Sequence, residues 1–132
     1  MMLFRRVLIS LMMIVGIISC SGVSSEELAS LAAKGYYEHL IHGEYEQFLE
    51  GKAGMKSHEG NEYWGQLLDN CHQFMSQQEK SHRGVREVRV VNAKTDTIQK
   101  YMNVFMVLCF GDSTNEEIVV PMVEHNGRWF MK

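Results

Sequence analysis

Residues 101–132, YMNVFMVLCFGDSTNEEIVVPMVEHNGRWFMK, leave this chain little choice of architecture. The first ten are almost wholly apolar and rich in β-branched and aromatic side chains, short for a helix and suited to a pleated strand. Alternation puts Tyr101, Asn103, Phe105, Val107 and Cys109 on one face and Met102, Val104, Met106, Leu108 and Phe110 on the other. Two apolar faces predict a central strand covered on both sides. Gly111-Asp112-Ser113-Thr114-Asn115 supplies turn chemistry, and residues 118–124 return as a second strand. Pro121 cannot donate a ladder bond, so this strand has an edge or a bulge nearby. Asn126-Gly127 is a strong hairpin signal because a type I′ turn needs positive φ twice, and residues 128–131 close the sheet. Upstream, residues 85–91 read as another strand, and residues 97–100 lead into the central one. The expectation is a four-stranded antiparallel meander.

The chain before it is helical and is expected to cover that sheet. Ser24-x-x-Glu27 matches a capping box, and Leu28, Leu31, Ala32, Tyr36 and Leu40 recur at spacings of three and four. Gly43 ends that helix. Residues 44–50 form a short second helix, residues 51–60 a glycine-rich loop, and Asn61 caps a third helix running to about Ser81. The third helix carries Trp64, Leu67, Leu68, Cys71, Phe74 and Met75 as its apolar set. Helices followed by an antiparallel sheet make an α+β fold, N-terminal helices packed on a curved four-stranded sheet over residues 26–132.

Residues 1–19 are read as a targeting segment outside the fold. Arg5 and Arg6 precede a twelve-residue apolar run over residues 7–18, short of the ~20 residues that span a bilayer. The run ends in Ile17-Ile18-Ser19-Cys20, which resembles the bacterial lipobox. That resemblance implies signal cleavage between Ser19 and Cys20, lipidation of Cys20 with acyl chains such as palmitate, and a tether over residues 20–25. An ordinary secretory signal or an uncleaved anchor stay open beside it. When the two arginines leave, 11 basic residues face 16 acidic ones, and the basic ones are dispersed; this argues against a nucleic-acid surface.

The tract AAKGYYEHLIHGEYEQFLEG (residues 32–51), the long third helix and the closing EHNGRWFMK resemble a family of small Bacteroidetes lipoproteins of unknown function. Their domain is nuclear transport factor 2-like (cystatin-like). The resemblance implies the cone-shaped fold, a closing Trp packed onto the helices, and a cell-envelope protein anchored by lipid, with the outer membrane expected. It carries no assigned reaction: the wider fold includes isomerases and dehydratases as well as binding and dimerisation modules.

The candidate chemistry is sparse. Tyr36 or Tyr37 could offer a hydroxyl to an isomerase-like pocket, but the central strand carries no acid to act as base. His39 and His42 at i, i+3 lack a third ligand, so no metal and no cofactor is expected. Asp69, Cys71 and His72 do not share a helix face. Cys71 and Cys109 form an even pair that could close a disulfide worth ~3–4 kcal/mol, or act as two small buried apolar residues. Tyr36, Trp64, Phe74, Phe105, Met106 and Met122 could line an apolar pocket; a filled core is the alternative. The function these features favour is a non-catalytic binding or interaction module taking a small apolar ligand or a protein partner, with a homodimer through the sheet as one form of it. A small isomerase- or hydrolase-like pocket enzyme of the same fold is the alternative.

Overall fold

The computed structural model describes residues 22–53 and 62–132. The lipobox with Ser19 and Cys20, the Asn61 cap and most of the glycine-rich loop lie outside the described residues. Three helices, α1 (Ser25–Ile41), α2 (Tyr45–Glu50) and α3 (Glu62–His82), precede four strands. These are β1 (Val85–Asp96), β2 (Tyr101–Phe110), β3 (Asn115–His125) and β4 (Arg128–Met131), arranged as one antiparallel sheet in the order β1-β2-β3-β4.

The turns after β2 and β3 are where the sequence puts them. Asn126 and Gly127 both hold positive φ, 51° and 79°, as a type I′ hairpin requires. β4 pairs with only the last part of β3, from Met122 to His125, so Pro121 sits where β3 becomes an edge and its missing N–H breaks no ladder there. β1 is longer than its apolar half predicts. Register shifts at Arg86 and Val91 break the simple alternation, and the polar stretch from Asn92 to Asp96 still pairs with Tyr101–Phe105. Residues 97–100 are accordingly the β1–β2 turn, where Asp96 Oδ1 accepts the Ile98 and Gln99 amides at 3.0 Å.

α1 starts as expected: Ser24 Oγ accepts the Glu27 amide at 3.2 Å. Its buried face is different. Ala29, Ala33 and Leu40 are buried, with Ala32, Tyr36, Tyr37 and Ile41 packed beside them, whereas Leu28 and Leu31 stand 46% and 65% exposed. Alanines let the helix backbone lie close on β1, and a leucine side chain would hold it off.

Among the described residues the sheet is covered on one face only, unlike the two-sided cover expected for β2. Met102, Val104, Met106, Leu108 and Phe110 of β2 are all buried under α1 together with Val88, Val120, Met122 and Met131. The opposite residues, from Tyr101 to Cys109, are only half-buried. A second cluster joins the end of α1 to α2 and α3 through Leu40, Leu49, Trp64 and Cys71. β4 is tied to this helical layer as well. Met131 N donates to Gly51 O and Ala53 N to Met131 O, each at 2.7 Å, and Tyr36 Oη donates to Trp129 O at 2.7 Å.

Candidate functional site

Among the described residues no helix covers the outer face of the sheet. Strand alternation and the observed register place Phe105 beside Val119, Asn103 beside Pro121 and Val123 beside Phe130 on it. Val91, thrown out by the β1 bulge, is 63% exposed and Val119 is 52% exposed. A shallow cavity of about 400 Å³ runs between them, floored by Phe105 and edged by Lys94 and Glu117. At the β4 end Lys132 Nζ lies 4.4 Å from the Tyr101 ring and the Arg128 guanidinium 5.4 Å from Phe130, so aromatic faces there hold cations.

Charge on this face is ordered. Arg89 of β1, Val107 of β2 and Glu117 of β3 stand in one cross-strand row. The row is positive on one side of β2 and negative on the other. Glu87 flanks Arg89 on β1 and accepts its Nη2 at 2.6 Å, an exposed pair.

The six residues read as one pocket lining do not meet around one cavity. Met106 and Met122 fill the core beneath the sheet, and Tyr36 packs against that core with its hydroxyl on Trp129. Trp64 and Phe74 belong to the helical cluster, and Phe105 is on the far side of the sheet. Among the described residues no charged or polar side chain is buried. Burial pushes the Tyr36 and Tyr37 hydroxyls above the usual tyrosine range, with the Arg128 charge opposing at Tyr36.

Of the two readings of the cysteine pair, the structure holds the unbonded one: Cys71 and Cys109 are free thiols. Cys71 is buried among the helices, while the odd register of β2 turns Cys109 to the outer face, so the sheet lies between them. The remaining polar candidates are engaged elsewhere. His39 Nδ1 is 3.1 Å from Glu44 Oε1, His72 lies edge-on to the Tyr45 ring, and no metal-type cluster occurs among the described residues.

Two features went unread in the sequence. His82 at the end of α3 stacks on Phe110 and pairs through Nδ1 with Asp112 Oδ2 at 3.0 Å; Thr114 Oγ1 donates to the other Asp112 oxygen at 2.5 Å. These bonds, the Thr114 hydroxyl first and His82 next, hold the Asp112 carboxyl down to about 2. The second feature is a cavity of about 310 Å³ among the three helices. Tyr37 and Leu40 of α1, Phe48 and Leu49 of α2, and Leu67 and Phe74 of α3 wall it, with Cys71, Asn70 and Lys52 also at its surface. The sequence carried its signal in the apolar residues of α2, but nothing local said how α2 would pack against α1 and α3.

No protein-family model and no curated protein matches this chain. Among solved structures, the chain resembles a Campylobacter jejuni crystal structure at 2.00 Å resolution described as a "Putative NTF2-like transpeptidase". The TM-score is 0.58 at 13% identity, over 75% of this chain and 92% of that one. With helices on one face of an open four-stranded antiparallel sheet, the likeness establishes an α+β fold of the nuclear transport factor 2-like type.

Proposed function

We propose that this is a lipid-anchored cell-envelope protein whose domain is a non-catalytic interaction module, and that its outer sheet face docks a second copy of the chain. The Arg89–Val107–Glu117 row carries the reading. A two-fold axis running along β2, between two facing sheets, carries β1 of one copy over β3 of the other. Arg89 of each copy then opposes Glu117 of the other, with Val107, Phe105 and Val119 packed between. A self-complementary patch is what an isologous dimer requires, and apolar residues ringed by charge suit such a contact. Sheets pack face to face in this manner about 10 Å apart.

The anchor rests on the Ile17-Ile18-Ser19-Cys20 motif. The attachment this motif offers is a thioether-linked diacylglycerol on Cys20. Full-length protein expressed in a bacterial host should incorporate labelled palmitate and sediment with membranes. Cys20→Ser should take up no label; equal labelling of the two would remove the anchor from this account. Arg89→Glu should disperse the dimer while leaving the fold intact, since Arg89 is exposed and its change touches no core residue.

A further inference from the structure

We propose that the pocket among the three helices binds a small carboxylic acid with an apolar tail, its carboxylate on Lys52 and its tail against Leu40, Phe48, Leu67 and Phe74. The volume, about 310 Å³, lies at the small end of ligand pockets, which run from ~300 to ~1,000 Å³. That size suits a tail of about eight carbons and no long lipid. The walls are mostly apolar: beside the Tyr37 hydroxyl and the Cys71 thiol, the polar side chains of the lining are Asn70 and Lys52, both exposed.

The charge selects the head group. Lys52 makes no ion pair among the described residues, although its backbone is fixed on both sides, by its amide on Leu49 O at 3.0 Å and by the bridge to Met131. An ammonium held at the mouth of an apolar pocket favours an anion whose remaining atoms prefer the walls. The Cys71 thiol feels the same surroundings: burial pushes it up and the Lys52 charge opposes, so charge and cavity share one space. The pocket lies in the helical layer, on the side of the sheet away from the Arg89–Glu117 face, and its occupancy is separate from self-association.

Cys71 and Cys109 make the test internal. One thiol lies at the cavity and the other on the opposite side of the sheet. Full-length protein is alkylated with iodoacetamide and the two cysteines are followed separately by peptide mass spectrometry, with octanoate as the probe. Saturating octanoate should slow Cys71 alkylation at least ~tenfold and leave Cys109 unchanged. Lys52→Met should raise the octanoate concentration needed by about tenfold, the loss of one charge-assisted contact. Octanol, the same tail without the charge, should protect wild type and Lys52→Met alike. A Cys71 rate indifferent to octanoate, slowing of both thiols together, or identical octanoate dependence in the two proteins would overturn the proposal.

Discussion

At the scale of single residues, the Asp112 cluster shows how one exposed carboxylate fastens a helix to a hairpin. The β2–β3 turn is bonded to the end of α3 through its backbone, Asp112 N to His82 O at 3.0 Å and Gly111 N to Gly84 O at 2.9 Å. The carboxylate adds His82 and both donors of Thr114. Its folded pKa, about 2, lies below the ordinary 3.8. A depressed carboxyl stabilises the fold above its unfolded pKa, and that contribution is lost as pH falls through the folded value. Wild type should therefore lose stability between about pH 4 and 2 in a way that Asp112→Asn does not. Urea midpoints measured across that interval decide it; parallel curves for the two proteins would mean that the cluster contributes no linkage. The Asp112–Thr114 bonds belong to the turn chemistry legible at residues 111–115, but the His82 contact was hidden because it lies thirty residues away in sequence. By contrast Asn126-Gly127 announced its hairpin locally, because the positive φ it adopts is a property of those two residues.

At the scale of elements, β4 is held by the helical layer as much as by the sheet. Gly51, just past α2, accepts the Met131 amide, and the bare glycine lets the Tyr36 ring lie against its Cα. A Cβ there would run into that ring, whose hydroxyl is fixed on Trp129 and which cannot swing aside freely. The φ of Gly51 is −74°, so the constraint is steric and not conformational. Gly51→Ala should cost about 1–3 kcal/mol, the usual range for overpacking. Chemical denaturation reads it, and an unchanged midpoint would show that the Tyr36–Gly51 contact is loose. The strands were legible from the chain because alternation and turn residues agree along residues 101–131. The α1 face was misread for a physical reason. Periodicity ranks leucine above alanine, but tight packing on β1 selects the small residues and leaves Leu28 and Leu31 outside. The two bulges of β1 erased the period that would have shown its full length.

At the scale of the molecule, one layer of helices on one face of a sheet leaves the second face to be explained. β2 reads as apolar on both sides, which from sequence alone predicts cover on both faces, by this chain or by a second copy. Among the described residues only the inner side is covered, and the apolar outer side with its ordered charges is the surface on which the proposed self-association rests. The pocket residues illustrate the same limit. Phe105 and Met106 are neighbours in sequence and face opposite layers, Trp64 lies in a separate helical cluster, and Phe74 touches both that cluster and the core, a link no spacing rule shows.

The measurement that tests this account most directly is sedimentation equilibrium of the detergent-solubilised full-length chain with the Arg89–Glu117 row altered. A wild-type dimer is expected, with weakened association in Arg89→Glu and in Glu117→Arg, each of which sets like charges face to face, and recovery in the double exchange. Each reversal should raise the dissociation constant about tenfold or more, given that like charges apposed in an interface cost several kcal/mol. A wild-type monomer throughout the concentration range, or a double exchange no better than either single change, would contradict a face-to-face dimer on this row.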